Sequence, residues 1–548
     1  TTADTFGRPV SQLLDLQTLV DLSGELETTN AWLVTAAIAF LIALGGRLVL
    51  SWGWTATLFL IAVVGLFPLG VSGHSSSGGQ HDLATNSLLF HLVAAALWVG
   101  GLVALLAHGR RKGEHLGLAA SRFSQVALVC WIVMAASGVI NALVRLPVSD
   151  LFGTSYGLLV IAKITALVVL GVFGYFQRIR GVRDVVATGS GRALVKLAAF
   201  EVLLMMITIG IAAALARTPP PQQSVTRPDN VEVRIGYALD GAPTFLKMLT
   251  DWRFDLVYGT AAIVLAVLYL LGVRRLTARG DKWPVGRTVA WLSGCAVILL
   301  ATSSGIGRYS PAMFSIHMVS HMMLSMLAPI LLVLGGAVTL ALRALPAVGK
   351  ESPPGPREWL LAFMQSPVAR VLTHPVVALV LFVGSFYLLY FSGLFDYALD
   401  LHWAHLLMNL HFLVTGYVFY WPVIGIDPTP RRLPPVGKLA MVFASMPFHA
   451  FFGVVLMGMQ QVIGDRFYRS LALPWVTDAL SDQRLGGGIA WAAGEIPLLV
   501  VVVALLVQWA RQDEREANRR DRRADADGES ELAAYNAMLQ QMDGRKSE

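Results

Sequence analysis

The chain has 548 residues, 55% of them hydrophobic and 14% charged, with mean hydropathy +0.62, where an ordinary soluble chain is ~25% charged. So little polar surface excludes a soluble enzyme, a disordered chain and a collagen-like repeat, and the expected fold class is an all-α polytopic integral membrane bundle lying in a lipid bilayer. The net charge of +7 is read as Arg- and Lys-rich cytoplasmic loops rather than a surface for nucleic acid, and no nucleic-acid partner is expected.

A helix needs about 20 apolar residues to cross a bilayer. That rule predicts spans at 31–50, 53–72, 85–107, 122–145, 155–177, 193–216, 254–273, 285–304, 315–341, 374–395, 402–424, 437–460 and 488–510. The first residue is Thr and no signal peptide is seen, so the chain is expected to begin after processing or part-way along a longer protein. Cations cluster after the third span (Arg110, Arg111, Lys112), the fifth (Arg178, Arg180, Arg183), the seventh (Arg274, Arg275, Arg279, Lys282) and the eleventh (Arg431, Arg432, Lys438). Segments 73–84 and 396–401 carry no Lys or Arg. The alternation places the N-terminus outside, loops 73–84, 305–314 and 461–487 outside, and the charged tail 511–548 inside. The Pro-rich stretch 217–253 separates a six-span module, 1–216, from a seven-span module, 254–510. The tail reads as a solvated charge block, with Leu532, Tyr535, Leu539 and Met542 able to form one short amphipathic stripe.

In the first module, His74 and His81 lie in a Gly/Ser-rich outer loop, and His91 precedes Trp98 by about two turns. Such a loop can collect a cation at the membrane surface. Lys163 and Glu201 are intramembrane charges on neighbouring spans, expected to pair as a structural clamp, with a proton relay as the alternative. Cys130 and Cys295 sit in apolar runs without a CxxC pair, so zinc-ribbon, thioredoxin and disulfide-framework readings have no support.

The second module is richer. SIHMVSHMMLSM places His317 and His321 at i, i+4, on one face about 6 Å apart, with Met318 and Met322 as a second such pair. LHWAHLLMNLHF adds His402, His405, Met408 and His411, and MPFHAFFGVVLMGM adds His449. The predicted topology brings these side chains to similar depth, towards the outer side. Thioethers favour Cu(I), imidazole accepts copper in both oxidation states, and no Asp or Glu accompanies them, so a Cu(I)/Cu(II) site is expected. Packing methionines, histidines hydrogen bonded between helices, and axial ligation of a haem by two histidines are the alternatives. No nucleophile–base pair, Walker motif or HExxH is present, and no enzymatic reaction is expected.

These residues resemble two known families joined in one chain. GH at 73–74, HLVAAALWVGG at 91–101, Lys163, the Glu201 span and TPPP at 218–221 are similar to the copper-resistance protein D family. DWRFD…LYLLGVRRL (251–276), FSIHMVSHMMLSMLAPILLVLG (314–335), HFLVTGYVFYWPVIGIDPTPRRLP (411–434) and MPFHAFFGVVLM (446–457) resemble the CtaG-type cytochrome c oxidase assembly family. The resemblance implies a bacterial plasma-membrane protein that supplies copper to a haem-copper oxidase, with oxidase subunits or an assembly intermediate as partners. A metal-free assembly factor is the competing expectation. Carried over residue by residue, the resemblance favours His317, His321, His411 and His449 in the second module, and His74, His91 and Trp98 in the first. Such fusions often begin with further spans, and Ser320 stands where that family often has Gln.

Overall fold

The computed structural model describes residues 27–49, 51–71, 80–181, 183, 191–221, 229–349, 352–431, 433–526 and 530–544. Among these every regular element is helical. Twelve helices are long and apolar enough to cross a bilayer: α1 (Thr29–Leu48), α2 (Trp52–Gly70), α3 (His81–Arg110), α4 (Leu116–Arg145), α5 (Ser155–Arg180), α6 (Ala199–Arg217), α7 (Tyr258–Ala278), α8 (Val285–Tyr309), α9 (Phe314–Ala344), α12 (His402–Ile424), α13 (Pro435–Gly458) and α14 (Ala479–Ala510). Two further helices, α10 (Pro375–Phe391) and α11 (Leu394–Asp400), are long and apolar enough only when taken together, and are bent by 76° at the break between them, as in a broken span or a re-entrant loop.

The described residues fall into two compact units, one drawn from Thr1–Ala242 and Ser470–Trp475, the other from Pro243–Arg469 and Val476–Glu548. The described part of the stretch between the spans contains two short helices. Asn230–Ile235 is helical, and the Gln80 N–H just before α3 donates to the Gly236 carbonyl at 2.6 Å, within the first unit. Phe245–Thr250 forms a helical turn and a half in the second unit.

In the first unit α3, α4, α5 and α6 share a core of Ala94, Trp98, Leu102, Cys130, Leu170 and Met205. In the second unit the core lies around α9 and α12, whose most apolar stretches are 56% and 61% buried. Outward-facing side chains are apolar too, Leu268, Val380, Leu410 and Phe451 among them. That is the arrangement expected where the surrounding solvent is hydrocarbon.

Two departures from the expected spans have local causes. The predicted straight helix over 374–395 instead turns after Phe391, where Gly393 at φ +81° takes a conformation that favours glycine. The turn sends Phe395 of α11 back into the protein, fully buried. The last span begins at Ala479 rather than 488, and its helix runs on to Ala526, with a second helix over Ser530–Gly544. The tail thus continues the helix, and Tyr535, Leu539 and Met542 are exposed along it.

Candidate metal centre

His317 and His321 stand one turn apart near the start of α9, and three contacts fix that turn. First, Asp482 of α14 accepts a hydrogen bond from the Ser315 N–H at 3.2 Å and another from the Ser315 hydroxyl. A carboxylate from a neighbouring helix thereby fills the place of an N-cap, where free N–H groups and the helix dipole favour negative charge. Second, the hydroxyl of Ser320 donates to the Ala301 carbonyl of α8 at 2.9 Å. Third, Pro329 lacks an N–H and its ring would collide with the carbonyl four residues earlier. The helix responds with a π-turn over Met323–Leu327. The carbonyl concerned, that of Ser325, lies against Gly416 of α12: a Cβ there would sit 2.0 Å from it. Glycine is therefore what lets α9 and α12 approach so closely, as small residues do between membrane helices.

That crossing carries His405 of α12 to the α9 pair. One ring nitrogen from each of His317, His321 and His405 lies within 4.8 Å of the others. Ring centroids are 3.9 Å apart for His317 and His321, 5.6 Å for His317 and His405, and 6.1 Å for His321 and His405. Nδ1 of His317, Nε2 of His321 and Nε2 of His405 are buried without a hydrogen-bond partner. An unpaired buried polar group is costly, and an ion held among the three rings would give such nitrogens a partner. The walls are apolar, with Phe395 5.0 Å from the His317 ring and Phe412 4.9 Å from that of His321. Asn409, one turn beyond His405, sits beside His321 with its Oδ1 unpaired.

Tyr390 of α10 completes the arrangement. Its hydroxyl lies 3.0 Å from His317 Nε2 and 2.9 Å from His321 Nδ1, on the far side of each ring from the unpaired nitrogen. A neutral imidazole carries one N–H. When both rings donate to the Tyr390 oxygen, Nδ1 of His317 and Nε2 of His321 hold lone pairs and can ligate. When Tyr390 donates to one ring, that ring's proton sits on its other nitrogen and blocks it. Outer partners that fix a tautomer in this way are usual behind metal-binding histidines. Tyr390 carried no mark as a ligand in the sequence; the available signal was a hydroxyl inside an apolar run, SFYLLYF, which needs a partner in lipid.

The other predicted residues are placed as follows. His411 is outside the cluster, half-buried beside Phe412. His449 is buried between Phe382, stacked at 5.7 Å, and Phe386 at 5.0 Å, with neither ring nitrogen partnered. Met318, Met322 and Met408 are buried, Met318 packing beside Gly486 of α14. Ser320 bonds to α8 and not to either neighbouring histidine. In the first unit, His91 pairs with the Ser137 hydroxyl at 3.1 Å, and Lys163 is close enough to act on it electrostatically. His74 lies outside the described residues. The expected Lys163–Glu201 clamp is not formed: Glu201 Oε1 accepts from the Trp98 indole N–H at 3.1 Å, and Arg145 is close enough to Lys163 to act on it electrostatically. Which neighbour a side chain meets is not resolved by spans read from hydropathy.

Comparison with known proteins gives the wider setting. The model for the cytochrome c oxidase caa3 assembly factor family (CtaG) matches residues 267–512, and that for copper resistance protein D (CopD) matches 117–215. The uncharacterized proteins Mb0105 of Mycobacterium bovis and MT0111 of Mycobacterium tuberculosis are each 42% identical over 535 residues, covering 97% of this chain and 78% of theirs. The chain belongs to one family with these mycobacterial proteins and joins a CopD segment to a CtaG segment. The copper transport protein CutJ of Bacillus subtilis is 26% identical over 260 residues, 43% of this chain and 47% of that one. No solved structure matches. All three clustered histidines and Tyr390 fall inside the CtaG segment, and Lys163 and Glu201 inside the CopD segment. The chain is a multi-pass bacterial membrane protein of copper-related and oxidase-assembly families.

Proposed function

We propose that the second unit binds a copper ion between His317, His321 and His405, and that the protein supplies copper during assembly of a haem-copper cytochrome c oxidase. The observation that carries the reading is the clustering of three imidazoles, one nitrogen of each within 4.8 Å of the others and each ring with a buried nitrogen that lacks a hydrogen-bond partner, with no carboxylate in the cluster. Imidazole binds copper in either oxidation state, and a site without Asp or Glu disfavours magnesium and manganese. Axial haem ligation uses at most two histidines, whereas a third within 4.8 Å fits a bare ion. The two matched families and the copper transport relative support copper as the cargo.

In this reading copper is cargo, taken up and released by ligand exchange, with no covalent bond made to carbon or phosphorus. The loop charges put the start of α9 towards the outer side, so copper reaches the trio from there. Met318, Met322 and Met408, buried on the same two helices, are proposed as thioether donors during exchange. The boundaries 1–216, 217–253, 254–510 and 511–548 remain the proposed division into copper-handling module, linker, assembly module and cytoplasmic tail.

The test is complementation. Cells lacking the protein are given the wild-type chain or His317→Ala with His405→Ala, and the copper content and activity of their terminal oxidase are measured. Wild type restores both, and the variant, present at equal level in the membrane, restores neither. Full restoration by the variant would assign the protein a metal-free scaffold role.

A further inference from the structure

The first unit holds a cavity of ≈ 480 Å³ between α3, α4, α5 and α6, a size usual for small-molecule sites. Its walls include the rings of Trp98, Phe123 and Trp131, with Tyr175 and Arg178 at one end. Two glycines of α5 line it. A Cβ at Gly171 would meet the Trp131 ring at 2.6–2.7 Å, and one at Gly174 would meet nothing within 4 Å. Both indole N–H groups are committed, Trp98 to Glu201 and Trp131 to the Leu167 carbonyl at 2.9 Å. What they offer the cavity is their apolar faces.

One polar group on the wall is left over. Glu201 is 3% exposed, and its Oε2 has no hydrogen-bond partner. Gln177 also lines the cavity and lies within hydrogen-bonding reach of the same carboxyl. An unpaired carboxyl oxygen in an apolar pocket is costly and calls for a donor. The chemistry of the walls narrows that donor. A fatty acid would set carboxylate against carboxylate. An organic cation would meet Arg178 on the same lining. A neutral, planar, lipid-soluble molecule with ring hydroxyls suits every wall: faces against Trp98, Phe123 and Trp131, and one hydroxyl donating to Oε2 of Glu201.

We infer that this cavity is a binding site for a hydroquinone-class molecule drawn from the lipid phase, with Glu201 as the hydroxyl acceptor. The inference stands on the first unit alone and is independent of the copper reading.

The test is calorimetric titration of the full chain in lipid nanodiscs, under anaerobic conditions, with 2,3-dimethyl-1,4-naphthohydroquinone and with empty nanodiscs as blank. Saturable binding is expected for wild type. Glu201→Leu removes the acceptor and weakens binding at least tenfold, while Glu201→Gln keeps a carbonyl acceptor and loses only a few-fold. Gly174→Leu fills the space and abolishes binding without touching the carboxyl, so it decides the matter even if Glu201→Leu fails to fold. The 1,4-dimethoxy analogue, which has no donor, is expected not to bind. Absence of saturable binding to wild type overturns the proposal. So does equal binding of the dimethoxy analogue, or binding unchanged in Gly174→Leu.

Discussion

Tyr390 and His321 meet at 2.9 Å, hydroxyl to Nδ1, and the same hydroxyl lies 3.0 Å from His317 Nε2, so one phenol controls which nitrogens two histidines present to the pocket. Tyr390→Phe keeps the ring among Phe314, Phe395 and Phe452 and removes only the oxygen. The loss of that partner is expected to weaken copper binding by roughly 10–100-fold. Competition with a Cu(I) chelator of known affinity measures it, and unchanged affinity would remove Tyr390 from the site.

The α9–α12 crossing depends on Gly416. A Cβ at this position would lie 2.0 Å from the Ser325 carbonyl, a rigid backbone atom that cannot swing aside. Gly416→Ala is expected to destabilise the protein by about 1–3 kcal/mol through overpacking, and to reduce copper occupancy because His405 rides on the displaced helix. Thermal unfolding and copper analysis of the same preparation read both effects. A normal melting temperature with normal copper would contradict the crossing.

Asp482 holds the start of α9 from a distance of 167 residues in sequence. Asp482→Ala removes an N-cap and is expected to cost about 1 kcal/mol. Hydrogen exchange at the first turn of α9 should rise, while α12 stays protected. No change there would show that the cap is dispensable.

His449 lies apart from the trio, buried with both nitrogens unpartnered. His449→Leu, which removes an unsatisfied polar group, is expected to leave copper stoichiometry unchanged and stability equal or raised by about 1 kcal/mol. Loss of copper in this variant would bring His449 into the site.

Much of the fold was legible because hydropathy reports length and apolarity directly. The spans, the helical class and the His317/His321 pair, set one turn apart by i, i+4 spacing, all follow from that. What hydropathy cannot report is how each helix is rotated about its axis and which neighbour it faces. His405 and His411 share a helix, yet only His405 meets the α9 pair. Glu201 turned to Trp98 rather than to Lys163 for the same reason. The bend at Gly393 escaped a reading based on apolar length, because a turned helix and a straight one have the same composition. Tyr390 and Asp482 act across long sequence separations, where local spacing has nothing to say.

The central claim is tested most directly by metal per chain. The purified protein, loaded with Cu(I) under reducing conditions and freed of excess metal, is assayed by mass spectrometry beside a His317→Ala/His321→Ala/His405→Ala variant and His411→Ala. About one copper in the second unit is predicted for wild type and for His411→Ala, and its loss in the triple variant with helical content retained. Equal copper in wild type and the triple variant, or none in wild type, would contradict the account.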